Sequence, residues 1–263
     1  MEINPGARGL TNPQLAKLAP AIFAEEPHRK LSDKYVFIPT INIVDDLRNL
    51  GWYPYRVQQA NVRNPEITNK QVHKIIFRQE KDIVNPSEIV NELLSINSHD
   101  GRIKLSFYSG IFRTICTNGM VVMEQNFGGF TIKHIGYTFE DIESLVINHI
   151  QSMNQVVNKI KEYQSIELTA GQQLQLASIA HDILKLNSNL PQGELIKPRR
   201  TEDEKNDLWT VWNRIQENVT QGGMRFHGEK RTVVTKRIDN IKRNTKINIT
   251  LWELLNQTYA RYK

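Results

Sequence analysis

Apolar and polar positions change their period roughly midway along the chain. Residues 34–39, KYVFIP, form a short run of aromatic and β-branched side chains and predict a strand. In INIVDDLRNL (41–50), Ile43, Val44, Leu47 and Leu50 fall at helical spacing, with Asp45, Asp46 and Arg48 opposite them. This predicts a helix capped by Thr40 and stopped by Gly51. WYPYRVQQANVR and QVHKIIFRQE predict two paired strands joined by the loop NPEITN. EIVNELLSINSHDGRIKLSFYSG predicts a second hairpin turning at Ser98-His99-Asp100-Gly101, because Asp-Gly is a favoured turn dipeptide. GIFRTICTNGMVVM reads as a buried turn of helix or strand, a polar break at Asn118-Gly119 and an apolar run. FGGFTIKHIG reads as a further extended piece bent at Gly128-Gly129.

After Tyr137 the pattern is helical. Ile142, Leu145, Val146, Ile150, Met153, Val156, Val157 and Ile160 make one apolar face of a helix of several turns. Thr169 opens a second helix, a polar loop containing Pro191 and Pro198 follows, and DLWTVWNRIQENVTQ predicts a third helix ending at Gly222-Gly223. INITLWELLNQTYARYK predicts the last, with Trp209, Trp212 and Trp252 on apolar faces as core residues. Strands first and helices later argue an α+β fold: an antiparallel β-sheet with a packed helix, then a mostly helical C-terminal half. The expected organisation is an N-terminal arm or covering segment over 1–30, a β-rich core over 31–137 and a helical region over 138–263. The last contains a basic segment, 225–246.

Composition narrows the function classes. The 263 residues carry a formal net charge of +6, which favours polyanionic partners, chiefly nucleic acid. One cysteine, Cys116, excludes an intrachain disulfide and any cysteine-based zinc site, and suits a reducing cytosol. Its apolar setting fits a small buried hydrophobe better than a nucleophile. The first twenty residues lack the apolar run of a secretory signal, and no run is long enough to span a membrane. No Walker or GxGxxG spacing is present. The expectation is a cytoplasmic protein needing neither cofactor nor metal.

Two basic regions remain. Arg56, Gln58, Arg63, Lys70, Lys74, Arg78, Arg102, Lys104 and Arg113 fall in the β-rich part. Arg56 and Gln58 share one parity, and Lys74, Ile76 and Arg78 share one strand face. Such a face either tracks a phosphate backbone or is the solvated side of a half-buried sheet. Residues 225–246, RFHGEKRTVVTKRIDNIKRNTK, hold eight Lys or Arg against two acids, Glu229 and Asp239. Arg225, Lys230, Arg231, Lys236 and Arg237, flanked by Gly222-Gly223, suit an arm on phosphates. His73, His99 and Asp100 would be the ligands of a metal-dependent nuclease, but Ser98-His99-Asp100-Gly101 is also simply a turn.

SDKYVFIPT, GWYPYRVQQANVR, INSHDG, YSGIFRTICTNGMVV, LWTVWNRIQENVTQGG and INITLWELL together resemble a phage- and plasmid-encoded family known as domain of unknown function 932. The resemblance implies mobile bacterial DNA and no established activity. Within it, Tyr35, a helix, Gly51-Trp52, and then Gln58, Gln59, Asn61 and Val62 are ordered as in single-strand annealing proteins of the Rad fifty-two type. That likeness implies a basic groove for single-stranded DNA in a ring of subunits. Trp52 itself reads as a packing anchor between helix and sheet. The resulting expectation is a non-enzymatic, oligomeric protein that binds single-stranded nucleic acid and promotes annealing or recombination of phage or plasmid DNA. The alternatives are a mobile-element protein that inhibits a host defence enzyme and, third, the nuclease.

Overall fold

The computed structural model describes residues 5–28, 36–114, 118–122, 130–131, 138–228 and 231–262. Cys116, Tyr35, Lys230, Gly128 and Gly129 lie outside them. The chain divides into two compact units, Met1–Met153 and Asn154–Lys263.

The first unit opens with helix α1 (Asn12–Leu18) and a 3-10 turn (Pro20–Phe23), then α2 (Thr40–Asn49). Six strands follow: β1 (Trp52–Gln59), β2 (His73–Gln79), β3 (Ile89–Asn97), β4 (Ser106–Arg113), β5 (Asn118–Val122) and β6 (Phe130–Thr131). A short helix α3 (Glu80–Val84) connects β2 to β3. The sheet is antiparallel in the order β1-β2-β3-β4-β5, and β6 also pairs with β4. Both predicted hairpins are present. The second turns through a longer connection, 98–105, than a tight Asp-Gly turn requires.

One face of the sheet carries Trp52, Ile75, Phe77, Leu93 and Phe107. Ile43, Val44 and Leu47 of α2 pack on it, as do Leu10, Leu15 and Ile22 of the first segment. Ile142, Leu145 and Val146 of α4 (Phe139–Gln164) complete this core. Residues 5–28 are therefore a covering segment, not a loose arm, and each fully buried aliphatic side chain contributes about 1.5–3 kcal/mol. Gly51 ends α2 at φ 79°, a conformation open to glycine at little cost. Thr40 does not cap α2: the cap position is Pro39, and the threonine side chain turns to other partners.

The second unit contains the end of α4, then α5 (Ala170–Ile183), α6 (Gln192–Leu195), α7 (Leu208–Gln221), the hairpin β7 (Arg225–His227) and β8 (Thr232–Val234), and α8 (Ile241–Tyr262). A capping box of Thr169 and Gln172 starts α5, and the Asp207 carboxylate accepts from Thr210 N at 2.9 Å to start α7. Trp209 stacks on Trp212 at 5.7 Å, and Trp212 meets Trp252 edge-on at 6.1 Å, all three buried as expected of core residues. Helix α7 is buried on every side from Leu208 to Thr220. Several of its polar side chains are held by hydrogen bonds. Arg214 Nε donates to Asp203 O at 2.5 Å, Asn218 Nδ2 to Leu195 O at 2.9 Å and Lys197 O at 3.0 Å, and Gln216 Nε2 to Asn248 Oδ1 at 2.7 Å.

Candidate nucleic-acid interface

The register of the sheet sorts its basic residues into two groups. Tyr53 pairs with Arg78, Arg56 with Ile76 and Gln58 with Lys74, so these side chains share the face opposite the core. That face is not a solvated one: Ile76 is 7% exposed, Leu94 4% and Ile96 3%. Arg78 is 1% exposed, and its Nε and one terminal nitrogen donate to Glu92 Oε1 at 2.9 and 2.6 Å. Its guanidinium is held between the rings of Tyr55 and Phe112, 3.7 and 4.2 Å from their centroids. Arg56 reaches the same carboxylate at 3.4 Å, and Arg113 is 4% exposed at the far end of β4. The placement of Arg78 and Arg113 on a surface that follows phosphates is corrected. Both are interior groups, and Glu92 neutralises the arginine nearest it.

Arg63, Lys70, Arg102 and Lys104 lie on the connections 60–72 and 98–105, which leave the sheet at the same end, beside Gln58 and Lys74. Arg63, Arg102 and Lys104 are exposed, while Gln58, Lys70 and Lys74 are half-buried. Acids offset part of this charge: Lys70 pairs with Glu26 at 3.7 Å and Arg102 with Asp100 at 3.4 Å. Gln59 accepts from Ala21 N at 2.8 Å and so ties down the covering segment. Trp52, 2% exposed and edge-on to His149 at 5.0 Å, is the packing anchor its position predicts.

Beneath these connections lies a polar cluster that the sequence does not announce. Thr40 Oγ1 is 2.9 Å from His73 Nε2, 3.2 Å from His99 Nε2 and 3.0 Å from Asn97 Nδ2. The Gln71 carbonyl accepts from His73 Nδ1 at 3.0 Å, which fixes the tautomer. Thr40 therefore donates to His73 and accepts from Asn97 and His99. A hydroxyl between imidazoles has the make-up of an activated nucleophile. Here Thr40 and His99 are 0% exposed and His73 and Asn97 1%, so no substrate reaches it. His99 thus faces Thr40 and not a metal-binding surface. Among the described residues no group of three or more His, Cys, Asp or Glu is placed to hold a metal ion.

Burial also sets the pH response. It pushes His73 down to about 4, against the Gln71 carbonyl and the Asp100 charge, and His149 down to about 3. Between the ordinary histidine value of about 6.5 and those depressed values, the unfolded chain takes up protons that the fold refuses. This stability is complete above about pH 6.5 and is lost as pH falls, by about 1.4 kcal/mol per pH unit for each histidine. Urea unfolding is expected to give a clearly lower midpoint near pH 5 than near pH 7, and His149→Gln to remove about half of that slope. A midpoint that does not move with pH would contradict this.

The second unit carries the densest exposed charge. Arg225 and Arg231 on the β7–β8 hairpin, Lys236 and Arg237 after it, and Lys242, Arg243 and Lys246 in the first turns of α8 are all exposed. Asp239, 3.3 Å from Arg237, is the one acid among the described residues of this segment. Residues Gly222 and Gly223 hold the arm in place. A β-carbon on Gly222 would stand 2.5 Å from the Lys236 carbonyl carbon, and its φ of 69° with ψ of −155° is open essentially to glycine alone. Backbone bonds from Gly223 N to Thr235 O (2.8 Å) and from Ile238 N to Thr220 O (2.9 Å) lace the returning strand to the end of α7. The sequence names most of these cations. It does not show that β7 and β8 form a hairpin.

Comparison with known proteins agrees with the sequence resemblance. The family model described as "Domain of unknown function (DUF932)" matches residues 27–252. The chain is 32% identical over 252 residues to the UPF0380 protein YafZ of Escherichia coli K12, covering 93% of this chain and 90% of that protein. It is likewise 32% identical over 253 residues to the UPF0380 protein YfjQ of the same strain, with the same coverage. No solved structure matches the chain. The annealing-protein likeness rests on the order of residues 35–62 alone, and neither comparison adds to it.

Proposed function

The chain belongs to the DUF932 family, and from that premise we propose that it is a non-enzymatic protein that binds single-stranded nucleic acid and promotes annealing of complementary strands of mobile DNA in the bacterial cytoplasm. The observation that supports this reading is the run of exposed cations from Arg225 to Lys246, opposed by a single described acid. Neutralising phosphates with Lys and Arg releases condensed counterions, and this drives binding without reference to sequence. Ile241, Thr245, Asn248, Leu251 and Trp252 of α8 are buried, so the helix presents only its basic face to a bound strand. One such surface binds weakly, and several copies aligned along a strand supply avidity.

The test is a gel-shift and annealing assay with two labelled complementary oligonucleotides, with and without Mg²⁺, at low and high salt. Salt-sensitive binding, faster annealing and intact strands are expected. No binding at low salt would overturn the reading. Capture of a host protein by a chain that ignores oligonucleotides would favour the inhibitor alternative.

A further inference from the structure

We propose that the cleft beside the β7–β8 hairpin is a nucleotide pocket that takes one unstacked base, with its phosphate, from the bound strand. The proposal rests on the single-strand reading above and adds to it a recognition element that a basic surface alone does not supply.

The cleft has a volume of about 490 Å³, within the roughly 300–1,000 Å³ typical of small-ligand sites. Its floor is apolar: Leu190, Val219, Met224 and Phe226 are 3%, 4%, 6% and 6% exposed. Its mouth is cationic, with Lys185 from the end of α5, Lys236 from the returning strand and Arg243 from α8. Among the described residues the only acid in its lining, Asp239, stands 3.3 Å from the Arg237 guanidinium. A small flat apolar body bearing a negative charge fits this combination, and a nucleobase joined to its phosphate is such a body. Lys236 and Arg243 at the mouth belong to the exposed run that would follow the strand, so a base can turn inward without its backbone leaving the surface.

Two structural features indicate a pre-formed site. Thr235 N donates to Met224 O at 2.9 Å, so the wall formed by the returning strand is fixed by main-chain bonds. Lys185 occupies the left-handed region at φ 50°, where the bond from Leu186 N to His181 O (3.1 Å) closes α5. Glycine holds that conformation at less cost than lysine. A phosphate at the cleft mouth gives the lysine ammonium a use that glycine could not serve.

The experiment uses the full chain and compares an oligothymidylate with an abasic deoxyribose-phosphate strand of equal length, alongside titration with dTMP and with inorganic phosphate. The wild type is expected to bind the thymidylate strand about tenfold or more tightly than the abasic one, the increment of roughly one sequestered base. It is also expected to bind dTMP saturably and more tightly than phosphate. Ile247→Trp, which fills the cleft from α8 without changing charge, is expected to bring the two strands to equal affinity and to leave the abasic strand unaffected. Equal affinity for both strands in the wild type would overturn the pocket and leave the strand-binding reading standing. If neither strand binds, that reading fails, and dTMP alone decides the pocket. Saturable dTMP binding lost in Ile247→Trp supports it, and no dTMP binding, or binding equal to that of phosphate, overturns it.

Discussion

Replacing Glu92 by alanine is expected to destabilise the first unit by about 3–5 kcal/mol, the usual consequence of removing one partner from a buried ion pair. Glu92 and Arg78 side chains are each 1% exposed and 2.6 Å apart. Without the carboxylate, the Arg78 guanidinium remains buried with no countercharge from that position, and Arg56 loses its contact at 3.4 Å. The rings of Tyr55 and Phe112 attract the guanidinium but accept no conventional hydrogen bond from it. Glu92→Gln keeps an acceptor and should fall between the two. Exchanging both partners for apolar residues, Arg78→Met with Glu92→Leu, should recover most of the loss. The readout is the urea midpoint at constant m-value. If Glu92→Ala unfolds at the wild-type midpoint, the second face of the sheet is open to solvent and Arg78 returns as a candidate contact.

The second large effect concerns binding. Changing Lys236, Arg237, Lys242 and Arg243 together to glutamine is expected to flatten the dependence of log K on log salt by about 2.8, at roughly 0.7 per phosphate contact. At about 0.1 M salt the same change corresponds to a several-hundredfold loss of affinity for a single strand. All four side chains are exposed, and the Arg237–Asp239 contact is a surface pair worth little to stability. Thermal unfolding should therefore stay within a few degrees of wild type. The matching change of Arg63 and Lys104 at the end of the sheet should alter the slope far less, because the proposed contact is confined to the segment from Arg225 to Lys246. Equal losses from the two variants would place the interface across both basic regions.

What the sequence carried, and what it hid, follows from the range of each interaction. The α2 stop at Gly51, the β1–β2 and β3–β4 hairpins, the capping box at Thr169 and the core tryptophans follow from periodicity and turn chemistry, which act over a few residues. The partner of Arg78 stands fourteen residues away on another strand, so the charge looked like surface until the register was known. Thr40 has the residue type and position of a helix cap, and only the arrival of His73, Asn97 and His99 from distant strands gives its hydroxyl other work. Helix α7 reads as amphipathic because Asn213, Arg214, Gln216 and Asn218 look solvated. They are buried, largely against main-chain carbonyls, and main-chain carbonyls leave no mark in a sequence. The basic segment was visible as composition, whereas its hairpin needed the pairing of Phe226 with Val233.

On the proposed reading, the exposed segment from Arg225 to Lys246 holds a single strand of nucleic acid. Photo-crosslinking of the full chain to a bromodeoxyuridine-substituted oligonucleotide, followed by mapping of the attached peptides, tests it most directly. Adducts concentrated in the β7–β8 hairpin and the first turns of α8, and reduced by added salt, are the predicted result. Adducts confined to the connections 60–72 and 98–105 of the first unit, or none at low salt, would contradict it.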